Sequence, residues 1–225
     1  MMNDPFLILN TLPLLKDLPP LELEALKSIS NMHKVKKTEC IFFNENTSQR
    51  IYLVIDGTLK VCSEDEVGKE IISEMLVAGD IFGQFDFGLR EQSEKREYAR
   101  VLSDGAKLIC FRVDDFQKML ALHPNLFYLY STLLLEKITA FERKYKDLIF
   151  KPLEKRVDDF FRRYAQYHAS HKNGKLRAEM MLTHQEIADY TAGSRQSVTT
   201  IINKMIAEGT IEYIGRKEVV FNFVV

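Results

Sequence analysis

The residues of this 225-residue chain best suited to recognition chemistry fall late, between Thr183 and Lys217. Arg195, Gln196 and Thr199 follow one another at a spacing that puts them on the opening turns of one helix. An arginine fork matches guanine O6 and N7, glutamine matches adenine, and a threonine methyl meets the thymine methyl. Around them, Thr183, His184, Gln185, Ser194, Ser197, Lys204, Arg216 and Lys217 offer the hydroxyls, amides and cations that hold phosphate oxygens. No Gly-rich phosphate loop, Ser-His-Asp or His-Cys arrangement, or metal-ligand spacing accompanies them, so an enzyme is not expected.

Groups of this kind need a rigid support, and the local sequence supplies one. Thr183-His184-Gln185-Glu186 has the form of a capping box, in which the first and last residues satisfy each other's amides at a helix start. The short helix carries Ile187 and Ala188 inward and breaks at Ala192-Gly193, where Gly193 is expected to take the left-handed conformation. Ser194 caps a second helix whose apolar face is Val198, Ile201, Ile202, Met205 and Ile206, opposite Arg195, Gln196, Thr199, Asn203 and Lys204. Helix, tight turn, helix is the helix-turn-helix pattern, and the two β runs joined through Gly215-Arg216 read as a wing behind it. The polar stretch 170–179 reads as a solvated hairpin or linker.

Upstream, the texture is different. Residues 5–30 read as short helical pieces, with Leu21, Leu26 and Ile29 on one face after Pro19-Pro20. From about 33 to 113, short β runs (41–43, 51–55, 58–62, 70–76, 98–102, 107–113) alternate with turn signals such as Asp56-Gly57 and Asp104-Gly105. That spacing predicts an antiparallel sandwich or barrel. Asp114-Asp115 are expected to cap a helix ending near His123-Pro124. A long helix follows to residue 150, in which Phe127, Ser131, Leu134, Ile138, Phe141, Tyr145 and Leu148 recur by four and three. Such a seam wants a partner helix, and a parallel homodimer is expected. A second amphipathic helix carries Leu153, Val157, Phe160, Phe161 and Tyr164 on one stripe.

Composition narrows the class. Hydrophobic content of 46% and charge of 28% describe a globular chain. The longest apolar stretch is interrupted by His123, Pro124 and Asn125, and the N-terminus lacks the features of a signal peptide, so a cytoplasmic protein without membrane contact is expected. Cys40, Cys62 and Cys110 lack disulfide or metal spacing and read as small buried hydrophobes without a cationic cluster to activate them. Net charge is uneven, +3 over residues 151–225 and −4 over residues 1–150. An isoelectric point near 6.5 is low for a nucleic-acid binder, although placement of charge can outweigh its sum.

Three passages together resemble the Crp–Fnr family of bacterial transcription regulators: 51–61 its strand–Gly–strand signature, 78–84 its Gly-Asp-x-x-Gly-Glu turn, and 182–205 its DNA-reading segment. The resemblance covers nearly the whole chain. It implies an α+β protein with an N-terminal antiparallel β-roll of the cyclic-nucleotide-binding type over 1–123, a dimerisation helix over 124–150 and a winged helix-turn-helix over 151–225. It also implies double-stranded DNA, a second copy of the chain and RNA polymerase as partners. The effector pocket would involve Gly83, Gln84, Arg96, Glu97, Phe141 and Glu142. Here the sequence departs from the cAMP-binding members. Gln84 stands for their ribose-holding Glu, Glu97 for the small hydroxyl residue beside the phosphate arginine matched by Arg96, and Phe141-Glu142 for their adenine-contacting Thr-Ser. No cofactor is assigned, cAMP is not the expected effector, and another small molecule is left open. At the DNA end, Thr200 takes the place of a second base-reading arginine, and Ala192 that of the turn glycine, so the turn is expected to shift. The alternative is a small-molecule sensing module that acts through protein contacts, with a vestigial winged helix.

Overall fold

The computed structural model describes residues 15–43, 49–83 and 96–223. Two compact units divide the chain within its long helix, Met1–Thr139 and Ala140–Val225. The helical pieces expected before residue 15, and Gln84, lie outside the described residues.

The first unit is a β-roll of two four-stranded antiparallel sheets. One is ordered β1 (Ser30–Lys36), β8 (Gly105–Arg112), β3 (Arg50–Asp56), β6 (Ile81–Gly83), and the other β2 (Cys40–Phe42), β7 (Arg96–Val101), β4 (Leu59–Glu64), β5 (Glu70–Leu76). The run Arg50-Ile-Tyr-Leu-Val-Ile-Asp56 shows why: it is apolar at every inner position because both its faces are covered. Ile51, Leu53 and Ile55 face a helical layer with Leu23, Leu26, Phe116, Leu126 and Tyr130. Tyr52 and Val54, with Leu108 beside them on β8, face Leu59, Ala99 and Val101 of the second sheet.

The Asp56-Gly57 turn needs its glycine. Gly57 has φ +98°, and a Cβ there would stand 2.6 Å from the Gly105 carbonyl oxygen and 2.9 Å from Ala106 Cα. Both are backbone atoms that cannot swing away. Gly57→Ala is therefore expected to destabilise the protein by roughly 2–3 kcal/mol. Urea unfolding checks it, and a change below about 0.5 kcal/mol would contradict the close approach.

Several sequence expectations are corrected here. Strand β1 starts the sheet at residue 30, earlier than its polar sequence suggests. Helix α1 (Pro20–Ser28) begins at the expected prolines, yet Leu21 is 77% exposed, and Glu22, Leu23 and Leu26 turn inward. Glu22 has a reason to be inside. Its carboxylate accepts from Asn125 Nδ2 at 2.7 Å and from the Leu126 amide at 2.9 Å, placing an anion on the first turn of the long helix. In α2 (Val113–Leu122) the N-cap is Arg112, so Asp114 and Asp115 sit in the first turn and do not cap.

Helix α3 runs from Pro124 to Phe150. Phe127, Ile138, Phe141, Tyr145 and Leu148 are exposed along it, whereas Leu134 is half-buried and packs on the core of its own unit. Leu134 therefore leaves the seam as first read.

In the second unit, α4 (Leu153–His168) buries Val157, Phe160, Phe161 and Tyr164. After it come β9 (Ser170–Lys172) and β10 (Lys175–Glu179), then α5 (His184–Thr191) and α6 (Arg195–Ala207), then β11 (Ile211–Ile214) and β12 (Glu218–Phe221). Of the two readings of 170–179, hairpin and linker, the structure forms the hairpin. Asn173 and Gly174, with φ of 51° and 72°, close a two-residue hairpin that joins the wing in one sheet of order β11-β12-β10-β9. Tyr164 fastens that sheet to α4, donating to the Glu179 carbonyl at 2.6 Å and accepting from the Met181 amide at 3.0 Å. Among the described residues, no helix is long and apolar enough to cross a membrane.

Candidate nucleic-acid interface

The capping box at the start of α5 is formed in full. Thr183 Oγ1 accepts from the Glu186 amide at 3.2 Å, and the Thr183 amide donates to Glu186 Oε2 at 2.8 Å. With Ile187 and Ala188 fully buried, the helix is fixed at its start and along one side. Its end is held by a residue that the sequence reading missed. Arg156, reaching over from α4, donates through Nε to the Thr191 carbonyl at 2.9 Å and through Nη2 to the Ala192 carbonyl at 3.3 Å. A cation on the last carbonyls of a helix matches its dipole. Only the distant pairing reveals the role, since Arg156 lies 35 residues before Thr191.

The turn is not shifted. Ala192 itself takes the left-handed conformation, with φ 53° and ψ 48°, and Gly193 does not. Gly193 serves a different need, close packing: a Cβ there would meet the Leu153 methyls at 2.7 and 2.9 Å. Ser194 then caps α6, accepting from the Ser197 amide at 3.1 Å.

Helix α6 buries Val198, Ile202 and Met205, while Ile201 is only half-buried and Ile206 is 40% exposed, so the apolar stripe is narrower than expected. Arg195, Gln196, Thr200 and Asn203 are exposed on the other side. Thr200 Oγ1 donates back to the Gln196 carbonyl at 3.0 Å. Thr199 is half-buried, and its hydroxyl lies 3.0 Å from His184 Nδ1, a direct tie between the two helices. Burial, and then the Arg195 guanidinium, hold the His184 imidazole below its usual pKa. A neutral imidazole leaves one ring nitrogen free to accept from Thr199.

The proposed phosphate ligands are less uniform. Arg216 is exposed at the wing turn after Gly215, which has φ 66°. Lys217 beside it lies 3.4 Å from Glu179. Gln185 donates to Asp189 at 2.8 Å. Lys204 departs from the expectation: its ammonium is 2.7 Å from Glu154 and 3.8 Å from Glu208, so it closes α6 onto α4 within the unit.

Of the residues expected at the effector pocket, Gly83 has φ +117°, and a Cβ there would stand 2.4 Å from the Arg50 carbonyl oxygen. Arg96 opens β7, and Glu97 follows it, half-buried, its carbonyl accepting from the Phe43 amide at 3.0 Å. Phe141 is 72% exposed, and Glu142 lies 3.8 Å from Lys146, one helical turn away on α3. The cysteine reading is corrected in part. Cys62 and Cys110 are buried, but Cys40 is half-buried, and its sulfur accepts from Arg100 Nε at 3.3 Å. Cations do stand near these thiols. Even so, burial outweighs Lys60 beside Cys62, whose pKa is pushed up to about 12.

A β-roll, a long helix with an exposed apolar seam and a helix-turn-helix backed by a wing define a winged helix-turn-helix regulator with a sensor-type domain. Two family models match: the cyclic nucleotide-binding domain over residues 32–123 and the Crp-like helix-turn-helix domain over residues 155–222. The chain belongs to the Crp–Fnr family of transcription regulators. It is 24% identical over 183 residues to the global nitrogen regulator of Synechocystis sp., covering 81% of this chain and 80% of that protein. It is 22% identical over 201 residues to the cAMP-activated global transcriptional regulator CRP of Salmonella typhimurium, covering 88% and 93%. The fold is shared with FixK2 of Bradyrhizobium japonicum, with TM-score 0.72, 15% identity and coverage of 87% and 93%. It is also shared with the c-di-GMP responsive regulator CLP of Xanthomonas campestris, with TM-score 0.73, 18% identity and coverage of 91% and 100%.

Proposed function

We propose that the protein is a homodimer that binds a pseudo-palindromic operator and acts on transcription through RNA polymerase. The observation that carries this reading is the outward face of α6. Arg195, Gln196 and Thr200 stand exposed at the start of a helix whose opposite face is buried and whose first turn is capped. The seam on α3 supports the dimer, because an isolated helix face bearing Phe127, Ile138, Phe141 and Tyr145 in water is costly. Two copies so joined would offer recognition helices to successive major grooves, about 34 Å apart. Base reading is assigned to Arg195, Gln196 and Thr200, with Thr199 held by His184 at the margin. Phosphate contact is assigned to Thr183, His184, Gln185, Ser194, Ser197, Arg216 and Lys217. cAMP is not assigned to the sensor, since Glu97 follows Arg96 in sequence where the cAMP-binding members carry a small hydroxyl residue, and Phe141 lacks the hydroxyl that an adenine contact uses. The β-roll, the dimerisation helix and the winged helix are taken as the three working parts, over 1–123, 124–150 and 151–225.

Fluorescence anisotropy with DNA from the protein's own upstream region tests the reading. Arg195→Ala is expected to cost roughly 1–3 kcal/mol of operator affinity and to relax selectivity at one base position. Raising the salt should weaken wild-type binding steeply, by counterion release from several phosphates. Salt-insensitive binding, or unchanged affinity in Arg195→Ala, would reject this assignment of the reading face.

A further inference from the structure

The hydrogen bond between α5 and α6 has a chemical direction. His184 opens α5, is half-buried, and meets the Thr199 hydroxyl of α6 through Nδ1 at 3.0 Å. A threonine inside a helix can return its hydroxyl proton to the carbonyl four residues back, as Thr200 does to Gln196 at 3.0 Å. Thr199 makes no such bond. Among the described residues, its hydroxyl has no acceptor other than His184. The second ring nitrogen, Nε2, has no partner among the described residues and is not shut off from solvent. Which nitrogen of a neutral imidazole carries the hydrogen is set by the bond the other one makes.

Protonating this ring is disfavoured in the free protein. Burial comes first, and the Arg195 guanidinium at the start of α6 adds to it, so the pKa lies below its usual value. Arg195 is the charged group of α6 whose field reaches the ring, and none on α4, the other helix packed against α5, does so. Within α5, Glu186 is drawn into the capping box and Asp189 accepts from Gln185. An anionic phosphate oxygen at Nε2 would reverse the balance, because an opposite charge favours the charged form.

We propose that His184 is a proton-linked contact to a DNA phosphate, with Thr199 as the residue that positions it. In the free protein the Thr199 hydroxyl donates to Nδ1, and the neutral ring turns its Nε2 hydrogen outward. On DNA a phosphate oxygen accepts that hydrogen bond. The ring then takes a further proton from solvent on Nδ1, which donates to Thr199 Oγ1, and the hydroxyl turns its own hydrogen away. Between the pKa of the free ring and the higher one on DNA, binding takes up a proton, so operator affinity rises as pH falls. Above that window the ring is neutral in both states, below it charged in both, and the dependence ends. This rests on reading α5 and α6 as the DNA-binding face, and it adds a regulation to that face.

The experiment is fluorescence anisotropy of the full-length protein with DNA from its own upstream region, at constant ionic strength. The range is about pH 5.5 to pH 8, which brackets ordinary imidazole titration. Wild-type affinity should rise toward acid by about tenfold for each half-site, the gain when a phosphate lifts the ring's pKa by about one unit. His184→Gln keeps a donor but cannot be protonated, and should lose that gain. His184→Arg, charged throughout, should bind at the alkaline end about as tightly as wild type does at the acid end, showing that a changed residue 184 still folds. Thr199→Ser should keep the gain, and Thr199→Val should lose part of it, because the charged ring's Nδ1–H then lacks its acceptor. Salt gives a readout that a merely structural His184 would not move. Wild-type binding should fall with salt more steeply in acid, by about one counterion per half-site, and His184→Gln should show no such change. A wild-type profile that His184→Gln reproduces, or equal gains in the two Thr199 variants, overturns the proposal while leaving operator binding standing. Absence of selective binding at every pH overturns it together with the operator reading.

Discussion

Ile138→Asp is expected to leave the protein monomeric at micromolar concentration and to lower operator affinity by about two orders of magnitude. Ile138 lies mid-seam and is 56% exposed in the single chain, with Phe141 one step on at 72%. In a parallel pair, each Ile138 would meet its own counterpart near the axis. Aspartate there would place two like charges face to face and bury them without partners. The effect on DNA exceeds the effect on any one contact, because joining two half-site readers makes the second binding event intramolecular, worth 10²–10⁴ in avidity. Sedimentation and anisotropy on the same samples check both halves. A dimer that persists in Ile138→Asp would move the interface off this seam. Leu134→Asp is a useful contrast. Leu134 packs on the core of its own unit, so that variant should lose stability before it loses self-association.

The seam was legible from sequence because a helix face is a local pattern, set by spacings of three and four along one element. The capping box at Thr183 was legible for the same reason, its two hydrogen bonds closing within four residues. The run 51–55 was legible as a strand, and its cover on both faces emerged only from the structure. What escaped was decided by partners far along the chain. Strand β1 reads as surface, with Lys34 and Lys36 alternating with half-buried residues, and becomes a strand by pairing with β8, from Ser30 with Phe111 to Lys36 with Gly105. Lys60 looks like the outward residue of an alternating strand, yet Glu70 across the β4–β5 hairpin draws it to 1% exposure.

The turn between the reading helices shows the same limit at short range. Glycine is the ordinary choice for a left-handed helix end, and an alanine there costs roughly 1–2 kcal/mol. The chain nevertheless gives that conformation to Ala192 and keeps Gly193 for its contact with Leu153. Backbone preference alone would choose the other residue. Close packing against α4 overrides it, and the carbonyls freed at the helix end are taken up by Arg156, also from α4. Helix α4 thus decides the geometry of the helix-turn-helix from outside it.

That dependence gives the largest stability effect expected in the second unit, from Phe161→Ala. Phe161 is fully buried in α4 and lies edge-to-face against Phe160 at 5.3 Å between ring centroids. Truncation removes the ring and leaves a cavity that the capped helices around it cannot readily close. A loss of about 3–5 kcal/mol follows. Because a unit of this size is only marginally stable, such a loss would leave a substantial fraction of reading heads unfolded near physiological temperature. Operator affinity should then fall with rising temperature more steeply than in the wild type, although no DNA-facing residue has changed. Urea unfolding gives the stability change, and anisotropy at two temperatures gives the consequence. If the loss is below about 1 kcal/mol, Phe161 is not the keystone of this core. If stability falls as expected while operator affinity holds at both temperatures, then the reading face does not depend on α4 for its geometry.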